Sequence, residues 1–91
     1  LSSSFKHLQQ TYLLRRYHDL ETLNQLLQNL NFEAIAKFAH RLTGNARMYE
    51  FVGLEKIALD MKNFSLSKNR LKLEASINKM RVFLEVNCSK V

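Results

Sequence analysis

The stretch Asn31-Phe32-Glu33-Ala34-Ile35-Ala36-Lys37-Phe38-Ala39-His40-Arg41-Leu42-Thr43-Gly44-Asn45-Ala46-Arg47 decides the fold class. Its apolar residues Phe32, Ile35, Phe38 or Ala39, Leu42 and Ala46 recur every three or four positions, the repeat of one helix face. Asn31 is placed to cap that helix. Glu33 falls in the first turn, where negative charge meets the positive end of the helix dipole. A stripe this narrow cannot be buried all round, so the helix needs partners.

Those partners lie on both sides. Upstream, Leu13, Tyr17, Leu20, Leu23, Leu27 and Leu30 repeat with the same period. Ser2, Ser3 or Ser4 can cap this helix, or a short preceding one around Phe5 and Leu8; periodicity leaves one helix and two pieces equally open. Asn29-Leu30-Asn31 ends it. Downstream, a third helix begins near Phe51 and carries Leu54, Ile57, Met61 and Phe64. Ser65-Leu66-Ser67 reads as a connection with Ser67 as a cap, and a fourth helix shows Leu73, Ile77, Met80 and Leu84, running to about Val86. Four such helices with short connections predict an all-α, antiparallel up-down four-helix bundle, with or without a short extra N-terminal helix. Tyr17, Phe38, Met48, Met61, Phe64 and Met80 are expected in the core, with Tyr49 and Phe51 where the second and third helices meet.

Composition agrees. Ninety-one residues bound the chain to a single domain, 1–91, and 46% hydrophobic with 24% charged residues is a globular mix. With no proline and only two glycines, Gly44 and Gly53, the chain lacks the turn residues of a β fold. Its one cysteine, Cys88, excludes an intramolecular disulfide framework and suits a reducing, cytoplasmic setting. No apolar run approaches the ~20 residues of a membrane span, and the opening LSSSFKH has no signal-peptide core. Because the chain opens on Leu1, a piece of a larger protein is expected, one whose other parts can include an inner-membrane anchor. The net charge of +6 favours an acidic partner without choosing among nucleic acid, an anionic membrane and an acidic protein face.

The helix over 31–47 does not read as pure scaffold. Ala36, Lys37, His40, Thr43, Gly44 and Arg47 share one face, turned away from Ile35, Leu42 and Ala46. A histidine there is surrounded by small residues, with cationic side chains above and below. Gly44, one turn beyond His40, costs a helix interior ~1 kcal/mol relative to Ala. Its small size lets another surface approach the imidazole.

The segment Ala39-His40-Arg41-Leu42-Thr43-Gly44-Asn45-Ala46-Arg47-Met48-Tyr49-Glu50-Phe51 resembles the histidine-containing phosphotransfer (HPt) domain of bacterial phosphorelays, whose pattern is roughly A-H-x-L-K-G-S-A followed by an apolar residue and Gly. Asn31 to Ile35 and Leu54 to Ala58 also look like that family. The resemblance implies a four-helix bundle whose exposed histidine, His40, accepts a phosphoryl group from a receiver-domain aspartate and passes it to another receiver. Lys37, Arg41, Thr43, Gly44 and Arg47 are then the residues expected to meet the phosphoryl group or the partner. It further implies response-regulator receiver domains as partners and a hybrid sensor kinase as parent or phosphodonor. The domain itself is expected to be monomeric, without autonomous catalysis, metal or cofactor of its own, and without direct membrane contact; Mg²⁺ belongs to the receiver.

Two positions depart from the pattern. The family's Lys three residues after the histidine is Thr43, which offers a hydroxyl rather than an ammonium. Lys37, one turn before His40, is the expected replacement, with Arg47 helping from farther along. The family's Gly is Glu50, so the turn there either does without positive φ or tolerates it under strain.

The competing reading is a basic helical binding module that docks receivers without phosphorylation or binds nucleic acid. Lys62, Lys68, Arg70, Lys72, Lys79 and Arg81 crowd the second half and read as a solvated face, with a phosphate-backbone site as the alternative. No helix-turn-helix glycine turn, zinc-ligand set or RNA-binding aromatic signature accompanies them, so no nucleic acid is expected. His7 and His18 are expected to be structural or solvated, Cys88 an incidental thiol, and Gly53 a helix-start residue.

Overall fold

The computed structural model describes residues 2–88, in the order α1 (Ser2–Gln28), α2 (Phe32–Met48), α3 (Val52–Leu66) and α4 (Arg70–Cys88). Each helix packs on its neighbours in the order α1–α2–α3–α4–α1, and the backbones of the diagonal pairs stay apart across the core. That is the up-down bundle the apolar stripes require. The 27 residues of α1 form one uninterrupted helix, ~40 Å at 1.5 Å per residue, and match the 42 Å long axis. Among the described residues, Phe5 and Leu8 belong to this helix and not to a separate N-terminal one. Ser2, Ser3 and Ser4 lie inside the helix, not at a position flanking it.

The core is built from Leu13, Leu20, Leu23 and Leu27 of α1, Ile35, Ala39, Leu42 and Ala46 of α2, Leu54, Ala58 and Met61 of α3, and Leu73, Ile77, Met80 and Leu84 of α4. Several expectations need correction. Tyr17 is 42% exposed, because the helix turns Tyr12 inward instead; Leu30 is 53% exposed. Met48, at the end of α2, is 71% exposed. On α3 the buried stripe is Leu54, Ala58, Met61 and Ser65, which leaves Ile57 and Phe64 at its half-buried edge. Ser65 is therefore not part of the connection. It stays inside the helix and donates its hydroxyl to Met61 O at 2.8 Å, as Ser76 does to Leu73 O, also at 2.8 Å.

The three interhelical turns share one construction. In the first, the amide of Asn31 donates back to Leu26 O (2.9 Å) and that of Leu30 to Leu27 O (3.0 Å). Phe51→Ala46 and Glu50→Arg47 repeat the pattern in the second, and Asn69→Phe64 and Lys68→Ser65 in the third. These paired bonds satisfy the last carbonyls of each helix and force the residue after it into the left-handed region. That residue is Leu30 (φ 53°), Glu50 (φ 64°) or Lys68 (φ 55°), never glycine. Each pays the penalty of a Cβ in that region, about 1–2 kcal/mol. Of the two options open for Glu50, strained positive φ is the one adopted.

The residue after each strained position caps the next helix. Asn31 Oδ1 accepts from Ala34 N at 3.2 Å, and Asn69 Oδ1 from Lys72 N at 3.1 Å. Ser67 is thus the C-cap of α3, and Asn69 caps α4 in its place. Phe51 has no capping oxygen. Its ring joins an aromatic group instead, 6.1 Å from Tyr12 and edge-on to Phe83 at 5.9 Å, while Tyr12 stacks on Tyr49 at 4.5 Å. Gly53 opens α3 beneath that group, where an added Cβ would come within 3.1 Å of the Phe83 ring.

Candidate functional site

The α2 helix buries Ile35, Ala39, Leu42 and Ala46 and thereby turns Ala36, Lys37, His40, Gly44 and Arg47 outward. His40 is exposed in the middle of the helix, on the side of the seam with α3. A Cβ added at Gly44 would meet nothing within 4 Å, so nothing in the domain's own packing calls for glycine there. The clear space beside the imidazole is a property of the surface.

The cations expected around His40 divide sharply. Lys37 Nζ is 3.3 Å from Glu33 Oε1, both side chains well exposed. Arg47 is held by Glu55 of α3, with Nε and Nη2 both on Oε2 (2.6 and 2.5 Å). Thr43 donates its hydroxyl to Ala39 O at 2.9 Å, so its donor is turned to the helix backbone. The group that reaches the ring is Lys62 of α3, whose Nζ lies 3.3 Å from His40 Nδ1. Among the described residues no carboxylate pairs with Lys62. Sequence reasoning placed it on a solvated basic face. The only signal that could have found it is its register, since packing α2 against α3 sets Arg47 beside Glu55 and, by the same antiparallel pairing, His40 beside Lys62.

Beyond His40, toward the N-terminal end of α2, a surface groove of about 540 Å³ opens between α2 and α3. Phe32, Ala36 and Leu66 supply apolar walls; Arg41 and Lys68 bring positive charge to it, and Lys37 lines it together with its partner Glu33. Leu66 is 64% exposed in the free domain. The other end of α2 is closed. The Tyr12 hydroxyl donates to Asn45 Oδ1, Gln9 Nε2 donates to Tyr49 O at 2.8 Å, and the Arg16 guanidinium lies 5.0 Å over the Tyr12 ring. Burial pushes the Tyr12 phenol up to about 12. His7 and His18 are exposed on α1, as expected, and among the described residues no group of three or more His, Cys, Asp or Glu is placed to hold a metal.

An exposed histidine in mid-helix, a small residue one turn on and an ammonium against the ring are the surroundings of a group that receives something from outside. The family model of the Hpt domain matches residues 7–85. The chain belongs to the Hpt domain family. No curated protein and no solved structure matches it. Hpt domains serve histidine phosphotransfer in phosphorelays and interact with response-regulator receiver domains. Among the described residues of this Hpt domain, no helix is long and apolar enough to cross a membrane.

Proposed function

We propose that this Hpt domain is a phosphorelay intermediate that carries a phosphoryl group on His40. The observation that carries the reading is the placement of that imidazole, exposed beside an unfilled space at Gly44 and touched by the Lys62 ammonium. Imidazole is a competent nucleophile near neutral pH. In the forward step, Nε2 of His40 forms a bond to phosphorus as the P–O bond of a receiver aspartyl phosphate breaks, and the aspartate leaves as a carboxylate. At the moment of attack the ring's one proton is on Nδ1, which leaves the Nε2 lone pair free. Such a transfer is loose and in-line, so the domain's part is to position the ring and meet the phosphoryl charge. Mg²⁺ belongs to the receiver, and the reverse reaction hands the group to a second receiver.

The groove beside His40 is the receiver's seat in this reading. An apolar side chain enters between Phe32, Ala36 and Leu66, and acidic residues around it face Lys37, Arg41 and Lys68. Charge of this kind speeds encounter more than it tightens the complex. The setting is a cytoplasmic one, within or alongside a hybrid sensor kinase. The nucleic-acid alternative has less support: Arg81 is engaged by Glu85 and Asn78, and Lys72 lies over the Phe64 ring, so those cations do not form a free stripe.

Incubation with phosphorylated receivers tests the reading. Acid-labile label is expected on the wild-type domain and not on His40→Gln. Label retained by His40→Gln, or receiver binding with no phosphohistidine at all, would sink it; the latter outcome is that of a docking module.

A further inference from the structure

Lys62 does more at the ring than add charge. An ammonium has three N–H donors and no lone pair, so the nitrogen 3.3 Å away must accept. A neutral imidazole has one proton, and with Nδ1 accepting, that proton is on Nε2. In the free domain, then, neither nitrogen offers a lone pair: that of Nδ1 is occupied by Lys62, and Nε2 is an N–H. No hydrogen bond among the described residues engages Nε2.

We infer that Lys62 is a positioning residue that sets the tautomer of His40 and withholds its nucleophilic lone pair until an anion draws the ammonium away. The inference rests on the phosphotransfer reading for its purpose but not for its geometry. Lys62 has no carboxylate partner to restrain it, and its stem is flexible. When an aspartyl phosphate arrives, the ammonium turns from Nδ1 to the phosphoryl oxygens. Nδ1 then takes a proton from water as Nε2 releases its own, the ring remains neutral, and the Nε2 lone pair attacks phosphorus. The same movement supplies the cation that Thr43 cannot, because its hydroxyl is bound to Ala39 O. Lys37 and Arg47 are held by Glu33 and Glu55 and do not contact the ring. One side chain thus links exposure of the nucleophile to the presence of its anionic substrate.

The test uses two electrophiles of different charge on the same domain. Diethyl pyrocarbonate is neutral and cannot attract Lys62; at pH 8, above the ordinary imidazole pKa of about 6.5, it reports the free lone pair. Lys62→Met is expected to raise His40 ethoxycarbonylation about fivefold, the ratio that one net hydrogen bond of ~1 kcal/mol gives, with exposed His7 and His18 as internal references. Lys62→Gln, whose amide oxygen can accept from Nδ1–H, is expected to move the ring ¹⁵N shifts toward the Nδ1–H tautomer. Lys62→Arg should keep the wild-type shifts. Transfer from a phosphorylated receiver should change in the opposite sense, slowing in Lys62→Met. Unchanged ¹⁵N shifts and unchanged ethoxycarbonylation would overturn the tautomer control, and undiminished receiver transfer would overturn the role at the phosphoryl group. If the wild-type domain takes no label from any receiver, the phosphotransfer reading fails, and the shifts and ethoxycarbonylation still decide whether Lys62 holds Nδ1.

Discussion

The two halves of α2 carry similar residues and use them differently. From Thr43 to Tyr49, the polar groups close on the domain itself: Thr43 on Ala39 O, Asn45 on the buried Tyr12, Arg47 on Glu55, and the Tyr49 carbonyl on Gln9. From Phe32 to Arg41, the same helix presents an apolar groove, an exposed Lys37–Glu33 pair and a histidine in contact with the Lys62 ammonium. The first half holds α1 and α3 in place. The second is left open, and an exposed surface of this kind is where a partner gains by binding. A residue's type therefore says little about which task it performs; its neighbour across the helix seam decides.

The sharpest way to break this division is at its centre. His40→Gln should abolish phosphoryl acceptance outright while moving unfolding free energy by no more than about 0.5 kcal/mol, as exposed substitutions do; a large loss of stability in urea titration would put His40 in the structural half. Next in size is the response to alkali. The Tyr12 phenol ionises near 10.0 when unfolded and near 12 when folded. Its raised value makes the neutral form the one that folds, so this contribution is intact below pH 10 and is lost as pH climbs toward 12. The loss amounts to roughly 2–3 kcal/mol at most. Tyr12→Phe should lack that alkaline slope in denaturant titrations across the range, although it costs about 1–3 kcal/mol at neutral pH by leaving Asn45 without its partner.

Smaller effects sharpen the comparison from the other side. Glu50→Gly should add about 1 kcal/mol by removing a left-handed Cβ, without altering transfer rates; a fall in melting temperature would mean that the turn depends on the glutamate. Gly44→Ala should stabilise the helix by about 0.5–1 kcal/mol, since the added methyl meets nothing in the free domain. If Gly44 keeps the approach to His40 clear, the same variant transfers phosphoryl more slowly. Equal rates would show that the partner does not come that close.

Much of the bundle was legible because helical periodicity is local. Leu20, Leu23 and Leu27, or Ile35, Leu42 and Ala46, announce their face within two turns of chain. Errors came where neighbouring positions were equally apolar: Tyr12 and Tyr17 flank the same stripe, and only packing against Asn45 and Tyr49 selects Tyr12. The turns were harder. Three non-glycine residues at positive φ cannot be told from composition, because the paired bonds to the preceding helix, not the side chains, impose that conformation.

By itself the amino-acid order determined the four helices, the outward placement of His40 and the small residue one turn beyond it, since all three depend on spacing along a single helix. Tertiary structure alone decided what stands against the ring. Lys62 lies 22 positions away in sequence, and it meets Nδ1 only because α2 and α3 pack antiparallel in one particular register. The same packing tied Arg47 to Glu55 and left the imidazole's nearest free charge on another helix. Contacts between helices follow from how their side chains interlock, and no local repeat in the sequence encodes that.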